Sequence, residues 1–507
     1  MPGKRIAVIG AGVSGLGAIK ICLEEGLEPT CFEGTNDIGG LWRYQESLNR
    51  LCYRIVYKSA TSNTSKEMTT YRDYPSPDRF PNYLHNSRIM EYLRMYAQHF
   101  DLTKHIRFLS KVHSVRKRSD FSCTDVLVET TGKQESYVFD GIMVCSGLYT
   151  EPILPLQNFP GINRFKGQYI HSCEYRSPEK FQEKKIIVVG IGNSGADLAI
   201  ELSHVASQVY LSTRRGVWIW NRVWDNGMPK DTVLFTRFKT ILNKFYPTYV
   251  LATCGDDLPN HIISGRVLIK SDVREFTETS AIFGDGTEED LDVVIFATGY
   301  TFSFPFLENN ATVLDSQHSM FKFVFPPQLE TPTLAFIGIL QPVGAIIPTW
   351  ELQSRWAMRV FKGMKLCLEG RRLSSDLRFL TAFFFSPSAF RFLNNPRDTC
   401  RVQYVEYMDE IASEIGAKRN LPSIFLWDPK LAIEIFFGPC TPYQYRLQGP
   451  GKWAGARRAI LTWREQIVKP LRTRTLICDQ PPSSVPFWLK SACAALLFVL
   501  TLVIIKG

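Results

Sequence analysis

The feature that most constrains this chain is a pattern that occurs twice. "VIGAGVSGLGA" (residues 8–18) carries Gly10, Gly12 and Gly15, and "VVGIGNSGADLA" (188–199) carries Gly190, Gly192 and Gly195, both in G-x-G-x-x-G spacing. Each is preceded by an apolar run, "RIAVIG" (5–10) or "KIIVVG" (185–190), and followed by helix-forming residues to about Glu25 or Ala206. Strand, tight turn and helix N-terminus together receive a dinucleotide pyrophosphate, because bare glycine backbone lets phosphate approach N–H groups aligned with the helix dipole. One such turn could be purely structural. Two, each inside a strand–turn–helix–strand unit, predict an α/β chain with two Rossmann-like dinucleotide-binding domains.

The second strands of the two units end differently. "PTCFE" ends at Glu33, 23 positions beyond Gly10, where a carboxylate accepts hydrogen bonds from ribose hydroxyls. "QVYLSTRRG" (208–216) has no acid at the matching place and offers Arg214 and Arg215 instead, with Arg214 the better placed. Arginine pairs with a 2′-phosphate that a carboxylate would repel, so the second site reads as one for NADP(H). The duplication continues in "FDGIMVCSG" (139–147) and "LDVVIFATG" (291–299), each an apolar strand with Asp seven residues before Gly.

A ribose-carboxylate site beside a 2′-phosphate site predicts FAD with NADPH, and hydride passing from nicotinamide to flavin. The twelve cysteines are scattered and no pair stands at C-x-x-C spacing, which argues against a dithiol relay, a zinc site or an iron–sulfur cluster. No metal is expected, and molecular oxygen remains as the electron acceptor.

With 45% hydrophobic and 21% charged residues the chain has the composition of a folded protein, and its net charge of +10 is spread without a dense basic run, so nucleic acid is not an expected partner. Basic residues do gather late, at Lys452, Arg457, Arg458, Arg464, Lys469, Arg472 and Arg474, with only Glu465 among them. Beyond them "FWLKSACAALLFVLTLVII" (487–505) has Lys490 as its only charge. A membrane span takes roughly 20 apolar residues, so this run predicts an anchor with its basic flank, and the body of the protein, on the cytosolic side. "MPGKRIAVIGAG" runs directly into the first glycine turn and reads as a strand, not a signal peptide.

Further motifs carry a resemblance. "FKGQYIHSCEY" (165–175) fits F-x-G-x-x-x-H-x-x-x-[YF] through Phe165, Gly167, His171 and Tyr175, just before the second glycine turn. With "NDIGGLW" (36–42), "SNTSKEM" (62–68), "EFTETSAIF" (275–283), "FATGY" (296–300), "LQSRW" (352–356), "FGPCTPYQYRL" (437–447) and "GPGKWAGARRAIL" (449–461), in order along the chain, it makes the protein resemble the flavin-containing monooxygenases of the membrane-bound, drug-metabolising vertebrate type. The resemblance implies that NADPH reduces FAD, that oxygen adds to give a C4a-hydroperoxyflavin, and that soft nucleophilic nitrogen or sulfur of small molecules takes one oxygen. It implies a place in the endoplasmic reticulum membrane facing the cytosol. It leaves a homo-oligomer open.

By the same resemblance Gly10, Ala11, Gly12, Val13 and Ser14 cradle the FAD pyrophosphate, Glu33 holds its ribose, and Leu41 and Trp42 lie along it. Asn63 is the catalytic residue at the flavin edge, with Ser62 toward NADP⁺ and Thr64 toward FAD. Read without the family, "TSKE" (64–67) is a helix capping box. Gly190, Gly192, Ser194, Gly195, Ala196 and Asp197 line the NADP⁺ pyrophosphate, Arg214 takes the 2′-phosphate, and His171 is structural. The expected organisation is a first FAD part (1–157), an inserted NADPH domain (158–329), a second FAD part (330–445), a basic segment (446–484) and the anchor (485–505).

The resemblance thins at "LNRLCYRIVYKSATSN" (48–63), at "FSCTDVLVE" (121–129), at residues 371–400, and between Tyr249 and "GDDLP" (255–259), where a segment of roughly two dozen residues found in relatives is missing. Such a loss would cost turnover before cofactor binding. A weakly active or inactive relative, an NADPH oxidase and a Baeyer–Villiger-type oxygenase are the alternatives.

Overall fold

The computed structural model describes residues 3–46, 56–118, 123–245, 252–301, 303–308, 320–326, 332–363 and 401–473. Two five-stranded parallel sheets organise them. In the first, Arg5–Ile9 is central, flanked by Glu28–Phe32 and Gly141–Val144, with Ile106–Arg107 and Leu334–Phe336 at the edges. In the second, Lys185–Val189 is central between Gln208–Ser212 and Val293–Phe296, with Val267–Lys270 and Gln168–His171 outside.

The central strands are apolar at successive positions because both faces are covered. Ile6 and Val8 pack with Leu16 and Ile19 of the helix Val13–Glu24 and with Leu352 and Trp356 of the helix Ile346–Phe361. Ala7 and Ile9 face the other way, into Val112, Val126, Val128 and Phe139 of an antiparallel sheet built from Ser110–Lys117, Thr124–Thr130 and Lys133–Phe139. The second unit repeats this residue for residue. Ile186 and Val188 meet Leu198, Ala199 and Leu202 of the helix Asn193–Leu202, while Ile187 and Val189 meet Val273, Phe276 and Phe283 of a second antiparallel sheet. Full burial of each such side chain stabilises by about 1.5–3 kcal/mol, so alternation across two faces fixes strand register.

The repeated aspartates have one job in both units. Asp140 accepts the Arg5 N–H at 2.7 Å and Asp292 accepts the Lys185 N–H at 2.8 Å, while their own N–H groups return to the Arg5 and Lys185 carbonyls. Each closes the open start of a central strand.

The chain leaves the first unit near Leu154 and comes back earlier than the expected residue 329. Glu151–Pro152 and Tyr300–Thr301 pair as the two crossings. Phe304, Leu307 and Met320 then lie in the first unit's core with Val115 and Phe336, and Val324 and Phe325 lie beside Trp356. Helical capping signals also yield in one place. No helix starts at Thr64: its hydroxyl meets that of Thr69, and the chain makes only a turn in which Met68 and Thr69 donate to the Ser65 carbonyl.

Part of the basic segment 446–484 is the helix Ala456–Val468, which buries Ala456 and Ile460 against Leu431 and Ile435 of the helix Pro429–Phe437. The anchor at 485–505, the divergent stretch 371–400 and residues 48–55 lie outside the described residues. Among the described residues no helix is long and apolar enough to cross a membrane.

Candidate functional site: two nucleotide turns and the seam between them

The three glycines of each turn are required for different reasons. Gly10 and Gly190 adopt φ of 101° and 110°, conformations that side chains with Cβ rarely take. A Cβ on Gly15 would stand 1.8 Å from the Gly10 carbonyl, and one on Gly195 would stand 1.9 Å from that of Gly190, so helix and strand could not meet as closely. The middle glycines are not explained by the protein. A Cβ on Gly192 would find nothing within 4 Å, and one on Gly12 would meet only the Gly40 backbone, at 3.6 Å and beyond. Both are helix N-caps with no side-chain hydrogen bond to the first turn, which leaves N–H donors facing that space. An open cradle, orphan donors and a helix N-terminus fit a pyrophosphate at both turns.

Glu33 stands beside the first turn. Its Oε2 accepts the Ala11 N–H at 2.7 Å and its Oε1 accepts the Thr35 N–H and hydroxyl at 2.9 Å. The turn Gly40–Trp42, with Leu41 and Trp42, is held against this site by the Gly39 N–H donating to the Ala11 carbonyl. Ala11 and Val13 are buried, and the Ser14 hydroxyl is committed to the Cys145 carbonyl at 3.3 Å, which leaves Ser14 its backbone for a ligand. In the second unit Ser194 is half-buried and Ala196 buried at the helix start. Arg214 and Arg215 are exposed just past the strand that ends at Ser212, and neither guanidinium has a partner among the described residues. Asp197 turns elsewhere: its carboxylate accepts from the Tyr57 hydroxyl of the first unit, and burial raises it above the usual carboxylate range.

That contact belongs to a seam along residues 57–65. One helical turn beyond Asp197, Glu201 accepts from the Ser59 hydroxyl at 2.7 Å. Arg222 donates to the Asn63 side-chain oxygen at 2.8 Å and to the Ser62 carbonyl at 3.1 Å, and the Ser65 N–H donates to Asp231 at 2.6 Å. The Ser62 hydroxyl bridges the Leu84 N–H and the Thr64 carbonyl. Ser62, Asn63 and Thr64 thus stand where the second unit's fingerprint helix docks on the first unit. Arg222, Asp231 and Asp256 were not legible in advance: their partners are more than 30, and mostly about 160, positions away. The one available signal was an arginine inside the aromatic, turn-rich run "NRVWDNGMP" (221–229).

His171 is structural as expected. Its Nδ1 accepts the Cys173 N–H and its Nε2–H donates to the Gly299 carbonyl at 3.1 Å. Burial lowers it to about 4, so it stays neutral with no proton to move near neutrality.

Two parallel-sheet nucleotide folds, joined so that one's fingerprint helix abuts a loop of the other, define a two-dinucleotide oxidoreductase. Residues 3–254 and 251–506 match the family described as flavin-binding monooxygenase-like. The chain is 53% identical to flavin-containing monooxygenase 5 of Oryctolagus cuniculus, over 94% of each chain. It is 47% identical to dimethylaniline monooxygenase [N-oxide-forming] 2 of Cavia porcellus, over 98% of each. Among solved structures, S-allyl-L-cysteine S-oxygenase from Allium sativum superposes with a TM-score of 0.64 at 22% identity, covering 92% of this chain and 99% of that one. The chain belongs to the flavin-binding monooxygenase-like family. It is a flavin monooxygenase, with FAD and NADPH as its cofactors.

Proposed function

We propose that the protein oxygenates soft nucleophilic nitrogen and sulfur centres of small molecules, using NADPH and molecular oxygen. The observation that carries this reading is Asn63: a neutral hydrogen-bonding side chain, exposed at the seam, on the loop that the second nucleotide unit clamps. Bound FAD, reduced by NADPH, supplies the electron pair that divides oxygen between the substrate atom and water.

The chain's own residues bind, orient and shield. Gly10, Ala11, Gly12, Val13 and Ser14 offer backbone to the FAD pyrophosphate, Glu33 takes its ribose, and Leu41, Trp42 and Thr64 lie beside it. Gly190, Gly192, Ser194, Gly195 and Ala196 would hold the NADP⁺ pyrophosphate, Arg214 would pair with the 2′-phosphate, and Ser62, its hydroxyl committed to Leu84 and Thr64, would fix the loop on the nicotinamide side. Asp197 serves the same site indirectly, by docking the pyrophosphate helix on Tyr57. Asn63 would donate from its amide NH₂ toward the reacting edge, where water that would divert the oxidant to peroxide has to be kept out once the cofactors are bound.

The full-length protein in microsomes should lose flavin absorbance when mixed anaerobically with NADPH. On admission of oxygen with a tertiary amine or a sulfide it should yield N-oxide or sulfoxide in proportion to NADPH consumed. Peroxide equal to NADPH would identify an oxidase, an ester formed from a ketone a Baeyer–Villiger enzyme, and unbleached flavin an inactive relative.

The same reading places the protein on the endoplasmic reticulum membrane, body toward the cytosol. Support comes from the run at 487–505 and from Phe425, Leu426 and Trp427, which are 58%, 79% and 87% exposed.

A further inference from the structure

Asn63 sits on the first unit, yet the group that orients it belongs to the second. The Arg222 side chain, only 12% exposed, reaches three oxygens: Asn63 Oδ1 at 2.8 Å, the Ser62 carbonyl at 3.1 Å and Asp256 Oδ2 at 2.5 Å. A guanidinium has donors and no acceptor, so the edge of the Asn63 amide that faces it must be the oxygen. The NH₂ group is then turned the other way. Without Arg222 the amide could rotate by half a turn and present its oxygen as readily as its NH₂.

Arg222 is itself braced. Asp256 accepts from Nη1 through one oxygen and from the Arg222 backbone N–H, at 2.5 Å, through the other. The brace follows from strand pairing: Trp218–Trp220 runs parallel to Ala252–Cys254 with Trp220 opposite Cys254, and Arg222 and Asp256 stand two residues beyond the respective strand ends. Cys254 in turn ties this ladder to the second nucleotide turn, its N–H donating to Asn193 Oδ1 at 3.0 Å. The shortened stretch after Tyr249 therefore retains, immediately downstream, the residue that steadies Arg222.

We propose that Arg222, held by Asp256, is a positioning residue for Asn63, fixing its amide so that NH₂ and not oxygen faces the bound cofactors. The proposal rests on the reading of Asn63 as the site residue of oxygenation. It predicts that Asn63 and Arg222 act as one unit, and that donor chemistry at position 222, not bulk, is what matters.

The test uses full-length, FAD-loaded protein as wild type, Arg222→Ala, Arg222→Lys, Asn63→Ala and the double variant. Flavin content, the flavin absorbance change caused by NADP⁺ alone, and product formed per NADPH are measured. Arg222→Ala should keep its FAD, give an altered NADP⁺ difference spectrum, and lose product per NADPH by about tenfold or more, the worth of one hydrogen bond to a charged group. Arg222→Lys should recover part of the loss, and the double variant should be no worse than the poorer single variant. Additive losses, or an Arg222→Ala protein with the wild-type spectrum and coupling, would overturn the proposal. If Arg222→Ala does not retain FAD, Asp256→Asn replaces it, with a smaller loss expected and wild-type behaviour counting against. If the wild type itself forms no oxygenated product, the functional reading fails, and the NADP⁺ spectrum of Arg222→Ala against wild type still decides the positioning role.

Discussion

At the residue scale, the glycine turns separate the needs of the fold from those of a ligand. Gly195→Ala would force its methyl against the Gly190 carbonyl and should cost on the order of 3 kcal/mol, seen as a lower melting temperature. Gly192→Ala meets open space, with φ of −78° that alanine accepts, so its stability cost should stay within about 1 kcal/mol. Its NADP⁺ affinity, measured by calorimetry, should nevertheless fall tenfold or more, roughly the worth of one lost charge-assisted hydrogen bond. Equal affinity would mean the pyrophosphate lies elsewhere. Glu33→Ala should lose FAD, since it removes the ribose acceptor and orphans the Ala11 and Thr35 N–H groups; unchanged flavin content would refute the assignment. Arg214→Ala should raise KM for NADPH far more than for NADH, and equal effects would shift the 2′-phosphate to Arg215. Residues such as Glu33 were legible because local spacing alone delivers them to the turn. Asp197 was legible as a member of the second helix, but not as a ligand of Tyr57, because that bond joins positions 140 apart.

At the element scale, the seam carries a pH dependence. Asp231, in the short helix Lys230–Leu234, is 5% exposed, and its Oδ1 has no partner. Burial pushes its carboxyl from 3.8 up to about 6, against hydrogen bonds from Ser65 and Thr232 that favour the charged form. A carboxyl raised in the folded state holds its proton when the unfolded chain has released it. Stability therefore falls as pH rises from about 4 to about 6, and above that window the ionised group costs about 3 kcal/mol. Asp231→Asn keeps an acceptor for the Ser65 N–H and removes the charge. Its melting temperature should exceed that of the wild type at pH 7.5, with the difference shrinking as pH falls through 6 and vanishing near pH 4. The three central strands and the fingerprint helix of each nucleotide unit were legible from apolar periodicity and glycine spacing, to within a few residues; the short edge strands and the antiparallel sheets were not, because they carry no such spacing. The return to the first unit at Phe304 was not, because "FSFPFLE" (302–308) is apolar enough to suit either core, and only its packing on Val115 and Phe336 decides. The capping-box pattern at Thr64 misled because other partners took its groups: the Thr64 hydroxyl meets the nearby Thr69 hydroxyl, and the Ser65 N–H is held by the distant Asp231.

At the scale of the whole molecule, several described helices around the C-terminal part of the chain present exposed apolar side chains. The helix Leu421–Trp427 exposes Phe425, Leu426 and Trp427, and the helix Arg237–Phe245 exposes Ile241, Leu242 and Phe245. Pro429–Phe437 links them, with Phe437 against Phe238 at 5.2 Å, and also packs on Ala456–Val468, which exposes Val468; just beyond it Leu471 and Arg472 are exposed, as is Lys469, ion-paired with Asp78. Apolar surface and basic residues therefore meet near Thr473, the last described residue before the apolar run at 487–505. If that run were the sole attachment, a chain ending at Thr473 would be released from lipid. The exposed side chains argue otherwise: burying each is worth about 1.5–3 kcal/mol, and each basic residue near an anionic surface adds about 1 kcal/mol. The shortened chain should still sediment with vesicles containing anionic lipid, more weakly than the full-length protein and less at high salt. Replacing Phe425, Leu426 and Trp427 together with serine should abolish that residual binding while leaving FAD content unchanged. Residual binding that survives the triple replacement, or that is indifferent to salt, would place the second contact on another surface.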